Sequence, residues 1–204
     1  MTTAIITDNS TGGTFSGTTD ALIDAGAPDA NNNTNTTLSL RESATPRRGV
    51  LKFDGLSNIT GPVTVSSATL SVYDTVGSTG PIEIYEILRA MSIVDVTWNK
   101  YDATNNWATA GGLGAGDVTS SPLVSSSFSG SIGYNDFTSA ALATHVQNII
   151  NSSLTNNGVL FRKTDDTDGS VPIASDDGTD AQRPKLTVVY TSGGGGITIA
   201  WFRA

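Results

Sequence analysis

The chain has 204 residues, 22 of them glycine, and a net charge of −8 from 19 acidic and 11 basic side chains. It contains no cysteine, which excludes disulfides and thiolate metal sites. Because the charge is negative, we expect no nucleic-acid partner and no anionic membrane partner. The length suits one domain with short appendages.

The first predicted element is a β-type run, Thr3–Thr7, which a polar, glycine-containing stretch separates from the body of the chain. The start has neither the basic nor the apolar region of a signal peptide, so we expect a protein made and kept in the cytoplasm or a mature fragment with an added Met. We interpret residues 1–19 as an N-terminal extension. In it, Ile5 and Ile6 are predicted to contact another subunit.

Residues 20–191 have the pattern of a strand-rich body. Apolar and polar residues alternate over short runs that Gly, Pro and Asn interrupt, which predicts an all-β fold, a jelly-roll type β-sandwich. The alternation slips near Tyr85–Ile87, which indicates either a bulge or burial on both faces. The predicted strands are Thr37–Glu42, Val50–Asp54, Ser67–Asp74, Pro81–Leu88, Val159–Arg162 and Leu186–Tyr190.

Two segments break the strand pattern. Residues 99–131 are long and rich in Gly and Ser, so we expect an extended surface loop. After it, Thr138 or Ser139 can cap one short helix. The apolar stripe of that helix consists of Leu142, Val146, Ile149 and Ile150.

The chain ends with residues 192–204, a Gly-rich hinge followed by an alternating apolar segment. This segment can pack on its own sandwich, be disordered or a cloning remnant, or pair with another subunit. Its hydrophobicity disfavours disorder, and an extended peptide can add to an open sheet edge, so we expect it to pair with a subunit. The predicted contact residues are Ile197, Ile199, Trp201 and Phe202.

Short motifs occur in a fixed order over about residues 20–191. They are Asp24–Asn31, Val50–Asp54, Ser67–Tyr73, Val96–Asn99, Asp136–Thr138, Asn157–Phe161 and Arg183–Tyr190. Their order and spacing resemble the DNRLRE-type (disaggregatase-related) domain family. The resemblance implies a jelly-roll sandwich and a non-catalytic module, often attached to extracellular polysaccharide-active or surface proteins. Some relatives resemble carbohydrate-binding modules. Met91 and Ile93 stand where the family has Trp and Glu.

Catalytic motifs are absent from the sequence, so we expect no enzyme. His145 is the only histidine and is predicted to lie at the flank of the helix stripe. Two acidic clusters, Asp165–Gly169 and Asp176–Asp180, have the closely spaced oxygen ligands that Ca²⁺ prefers. Asp166 and Asp168 are the candidate ligands, and the alternative is a pair of solvated acidic turns.

A sugar site needs exposed aromatic rings beside polar groups. Tyr101 and Trp107 are the candidate stacking residues, and Asn105 and Asn106 the candidate hydrogen-bonding residues. The alternative is that Trp107 folds back over the sandwich. A basic group can meet an acidic polysaccharide or simply balance the negative surface. It consists of Arg41, Arg47, Arg48 and Lys52.

Taken together, the sequence favours a non-enzymatic structural protein of a large assembly. We expect a phage virion decoration or tail-associated protein, made in the host cytoplasm and located at the virion surface. Its partners would be copies of itself or other virion subunits. The alternative is a carbohydrate-binding module of a polysaccharide-active system, extracellular or at a cell surface.

Overall fold

The computed structural model describes residues 1–7, 14–43, 45–165 and 169–193. These residues form eleven strands, one α-helix (α1, Ala140–Ile150) and two 3-10 helices, Asp54–Asn58 and Asp180–Gln182. The strands are β1 (Thr2–Ile6), β2 (Thr18–Asp24), β3 (Thr37–Leu40), β4 (Arg47–Phe53), β5 (Val63–Asp74), β6 (Thr79–Glu86), β7 (Val124–Ser129), β8 (Gly133–Thr138), β9 (Val159–Lys163), β10 (Val171–Ala174) and β11 (Lys185–Ser192).

The strands pair into two antiparallel sheets. The first has the order β1-β11-β5-β10-β3, with β8 pairing with the other edge of β5. The second has the order β2-β4-β9-β6-β7. The prediction of an all-β sandwich with one short helix is therefore confirmed.

The main hydrophobic core lies between the sheets. Leu38 and Leu70 of the first sheet and Leu51 and Phe161 of the second are each at most 1% exposed. Successive side chains of a strand point to opposite faces, so Leu38 and Leu70 alternate with polar residues, whereas Val50 and Leu160, next to Leu51 and Phe161, face the other side of the second sheet. Burying each such side chain contributes about 1.5–3 kcal/mol, so this layer provides most of the driving force for folding.

Helix α1 closes one edge of this core. The Ser139 hydroxyl accepts a hydrogen bond from the Leu142 amide at 2.9 Å, which makes Ser139 the N-cap, as predicted. Leu142, Val146 and Ile150 are buried. The Asn151 side chain, just after the helix, bonds to both backbone groups of Val63 and so covers the beginning of β5.

A second hydrophobic core covers the outer face of the second sheet. Residues 87–123, which we call the covering lobe, fold over this face and bury Ile87, Val96 and Trp107 against Ile23 and Leu160. Residues 99–123 form neither a helix nor a named strand, as predicted for a loop, but they fold over the sheet instead of extending from it. Residues 124–129 of the predicted range form β7. The slip predicted in β6 reflects burial on both faces, since the strand contacts both cores.

The N-terminal strand is part of the sandwich. β1 pairs with β11 from Thr2↔Tyr190 to Ile6↔Leu186. Ile6 is fully buried in the main core, and the Ile5 carbonyl accepts hydrogen bonds from the Thr14 and Phe15 amides. Ile5 and Ile6 thus contact their own sheet, which corrects the expectation that they form a free subunit-binding extension within residues 1–19.

The described part of the chain ends at Gly193, directly after β11. The Gly193 amide donates to the Pro62 carbonyl at 2.8 Å, just before β5 begins. Ile197, Ile199, Trp201 and Phe202 lie outside the described residues. Within the described part of the chain, no helix is long and apolar enough to cross a membrane.

Candidate functional site

The candidate sugar-stacking residue Trp107 is buried. Its ring is 4% exposed, its indole N–H donates to the Thr97 carbonyl at 3.0 Å, and the Tyr101 ring packs against it at 5.6 Å. A buried ring cannot stack on a sugar, so this assignment is wrong. The alternative, that Trp107 folds back over the sandwich, is confirmed.

The other candidate sugar ligands serve the loop itself. The Asn105 amide donates to the Asp102 carboxylate at 2.9 Å. That bond, with the Thr104 and Asn105 backbone amides, lowers the pKa of Asp102 to about 2. Tyr101 is half-buried with the Arg89 guanidinium 5.7 Å from its ring, and Asn106 is exposed beside it. The structure brings these residues close in space without forming an open aromatic face.

The predicted Ca²⁺ ligands Asp166 and Asp168 lie outside the described residues. In the second acidic cluster, the Asp177 amide donates to the Ser175 hydroxyl, and the Gly178 amide to the Ser175 carbonyl, so this cluster forms a turn. Over residues 1–7, 14–43, 45–165 and 169–193, no group of three or more acidic or His side chains is arranged to hold a metal.

The predicted basic group is engaged in local contacts. Arg47 pairs with Asp24 at 2.8 Å, Arg48 with Glu42 at 3.1 Å and Lys52 with Asp54 at 2.9 Å. Arg41 donates to the Thr45 carbonyl. Paired charges attract an acidic polysaccharide less than free ones, so this group balances neighbouring carboxylates.

A row of charges, buried at Arg48 and half-buried at the other two positions, crosses the outer face of the second sheet, and the sequence did not predict it. Arg48 on β4, Arg162 on β9 and Glu83 on β6 occupy consecutive positions across three strands. Glu42 contacts both arginines, at 3.1 Å and 3.7 Å. Burial lowers the pKa of Arg48, and the Glu42 carboxylate opposes that shift.

Next to Arg162, the middle residue of this row, lies a cleft of 430 Å³, which we call the Tyr85 cleft. It is lined mainly by Tyr85 and Arg162 on the sheet and by Leu88, Leu113–Gly116 and Val118 on the covering lobe. The Tyr85 hydroxyl donates to Glu83 at 2.7 Å, and Arg162 lies 3.7 Å from the same carboxylate. The cleft thus combines an aromatic ring, apolar side chains and hydrogen-bonding groups.

The lobe wall of this cleft is fixed by one buried carboxylate. Asp117 is 0% exposed and accepts hydrogen bonds from the backbone amides of Ala108, Thr109 and Gly114 and from the Arg89 guanidinium. Gly114 has no room for a side chain, since an added Cβ would lie 2.7 Å from the Asp117 carboxylate. The wall is therefore pre-formed, which reduces the ordering cost of binding a ligand.

A larger groove of 770 Å³ lies at the end of α1, and we call it the helix-end groove. Leu56, Ile59–Gly61, Ile149–Ile150 and Leu154 line it together with several Ser, Thr and Asn residues. Its Gly61 edge is next to Pro62, which holds the Gly193 amide. The groove is therefore adjacent to Gly193, the last described residue of this end of the chain.

A buried carboxyl joins the two sheets. Asp20 on β2 is 1% exposed and lies 2.9 Å from the Ser175 hydroxyl and 2.8 Å from the Asp176 amide, just after β10. Burial, and then repulsion from the Asp176 carboxylate, raises the pKa of Asp20 to about 9. The acid is therefore protonated at neutral pH and shares its proton with Asp176.

His145 is buried on the inner face of α1 instead of lying at the flank. Its Nδ1 atom is 3.3 Å from the Glu86 carboxylate, within ion-pair distance but not aligned as a hydrogen bond. Burial lowers the pKa of His145, and Glu86 opposes that shift. The imidazole therefore fills the core next to a carboxylate.

Comparison with known families finds no family model that matches the chain, and comparison with curated proteins finds no significant match. The resemblance to the DNRLRE-type family therefore stays a prediction.

Proposed function

We propose that this protein is a non-enzymatic structural subunit of a large assembly, joined to its neighbours by its C-terminal segment. The observation that carries the proposal is the position of Gly193, the last described residue of the chain, directly after β11. The segment that follows has eleven residues, and its apolar residues alternate as in a strand. A soluble domain gains from covering such a segment, and a neighbouring subunit can do so.

The surroundings of Gly193 support a role in contacts between subunits. We call the two ends of the sandwich its poles. At the pole where β11 ends, β11 already has β1 on one side and β5 on the other. Gln147 and Asn151 bond to the free edge of β5 at Val65 and Val63. The edges of β11 and β5 next to Gly193 are thus occupied, so the segment cannot pair with either of these strands in its own sandwich.

The other pole also offers a contact. Val76 and Ile132, at 61% and 63% exposure, lie in two adjoining turns at the far end of β5. The turns touch, since a Cβ on Gly77 would lie 3.2 Å from the Ile132 amide. Neighbouring exposed apolar side chains of this kind mark contact sites, and a subunit with contacts at both poles can extend an assembly.

Truncation tests the proposal. The full chain and a chain ending at Gly193 are compared by light scattering over a range of concentrations. We expect the full chain to form oligomers and the truncated chain, which keeps all eleven described strands, to be a monomer. Equal masses for the two chains at every concentration would reject the proposal. The virion setting predicted from the sequence is tested by mass spectrometry of purified phage particles.

Carbohydrate binding is a second candidate function, and the Tyr85 cleft is the observation that favours it. Sugar-binding sites place an aromatic ring for stacking beside side chains that bond to hydroxyl groups, and Tyr85 and Arg162 offer this pair. The sugar residues predicted from the sequence do not line this cleft, and Tyr101 and Trp107 pack in the second hydrophobic core instead.

Binding to a panel of neutral and acidic glycans, measured by calorimetry, tests this second function. We expect Tyr85→Ser to lose at least tenfold in affinity, because it removes the stacking ring, and Tyr85→Phe to retain binding. Tyr190→Ser, at a half-exposed tyrosine on β11, is the matched control. No binding across the panel, or equal binding by Tyr85→Ser, would reject the cleft as a sugar site.

A further inference from the structure

We propose that the helix-end groove of one copy binds residues 197–202 of a second copy, and that two copies exchange these segments reciprocally. The inference rests on the proposed function and adds to it the acceptor surface and the symmetry of the contact.

The groove has the composition of a binding surface for an apolar segment. Its floor contains the buried side chains of Leu56, Ile59 and Ile150, and Ile149 and Leu154 on its walls are only partly covered. Polar residues form the rim, among them the exposed Thr60. An apolar floor within a polar rim is the usual anatomy of a protein interface. The volume of 770 Å³ is within the range of sites that enclose large side chains.

The position of the groove identifies the occupant. The Gly193 amide is held by the Pro62 carbonyl at 2.8 Å, so the described chain ends beside the Gly61 edge of the groove. Gly194–Gly196 span at most about 10 Å, which brings Ile197 of a facing copy to the groove when the two poles meet. Trp201 and Phe202 have the large apolar area that anchors an interface.

The symmetry follows from the same geometry. Donor segment and acceptor groove lie at one pole of the sandwich, so two copies that face each other with this pole can each fill the other's groove. Such an exchange closes on itself and gives a twofold dimer, whereas a donor and acceptor at opposite poles would give a ring or filament. The dimer would then be the building unit of the assembly, with the Val76–Ile132 pole facing outward.

The test uses three full-length proteins and the chain ending at Gly193. Thr60→Arg places a long charged side chain at the groove rim, at an exposed position. Thr144→Arg makes the same change on the exposed side of α1, outside the groove, and is the matched control. We expect a dimer of about 42 kDa, twice the 21.0 kDa of one chain, for the wild type and Thr144→Arg, and monomers for Thr60→Arg and the truncated chain.

Mixing the two monomeric proteins provides the decisive measurement. Thr60→Arg retains its C-terminal segment, and the truncated chain retains its groove, so an equimolar mixture should form a mixed dimer. Its formation also shows that both proteins are folded. A mixture that stays monomeric would overturn the inference.

The remaining outcomes separate this inference from the proposed function. If truncation gives monomers while Thr60→Arg still dimerises, the segment joins subunits at another surface and only the groove assignment fails. If the full chain is a monomer at all concentrations, the proposed function fails as well. If, in addition, Thr60→Arg lowers the melting temperature of the full chain but not of the truncated chain, the segment fills the groove of its own chain.

Discussion

Replacing Asp20 by Asn should change how the stability of the protein depends on pH. Burial and the Asp176 carboxylate raise the pKa of Asp20 to about 9, far above its ordinary value of 3.8. Between these two values the folded chain binds one proton that the unfolded chain has released. Stability therefore falls as pH rises through this window. Asn resembles the protonated acid in shape and hydrogen bonding but does not titrate.

The magnitude follows from proton linkage. Because the folded state binds one more proton than the unfolded state, each rise of one pH unit lowers the free energy of unfolding by about 1.4 kcal/mol. From pH 6.5 to pH 8.5 the free energy of unfolding of the wild type should fall by about 2.7 kcal/mol, and this fall should be absent in the Asp20→Asn variant. This slope holds whether the proton resides on Asp20 or on Asp176, because the pair binds one proton in either case.

Urea unfolding at several pH values measures the effect. With a urea dependence of about 2 kcal/mol per molar, the midpoint of Asp20→Asn should move upward relative to wild type by more than 1 M across this window. Asp177→Asn, an exposed change of equal charge in the same turn, is the control and should follow the wild type. If the urea midpoints of Asp20→Asn and wild type changed equally with pH, a buried protonated acid would not join the sheets.

Three further predictions concern the covering lobe and the helix. Trp107→Ala should lower the free energy of unfolding by about 3–5 kcal/mol in urea titrations, because it empties the second core; a loss under 1 kcal/mol would contradict this packing. Asp117→Asn should cost about 2 kcal/mol or more, because it weakens the bonds that hold Arg89 and the lobe backbone; unchanged stability would argue against that role. Because the pKa of His145 is lowered in the folded state, the stability of the wild type should fall as pH drops below 6.5. His145→Gln should remove this loss in melting curves. The same loss at low pH in wild type and His145→Gln would reject the prediction.

Local sequence patterns predicted most of the sandwich. In β5, Ala68, Leu70 and Val72 alternate with polar residues and are all buried, because the period of a strand is independent of its partners. The helix was predicted for a similar reason, since its cap at Ser139 and its apolar stripe are set by residues three or four positions apart. These features need no knowledge of distant parts of the chain.

The tertiary structure decided which surfaces remain open. β1 resembled a free appendage, but its partner β11 is about 180 residues away, and only the completed sheet brings them together. Trp107 resembled an exposed sugar platform, but its burial depends on how the covering lobe folds over Leu160. The Tyr85 cleft joins strand and lobe residues from separate segments, and the helix-end groove joins the residues before β5 to the end of α1. Burial and cleft formation depend on contacts between distant segments, whereas the period of an element depends only on its own residues.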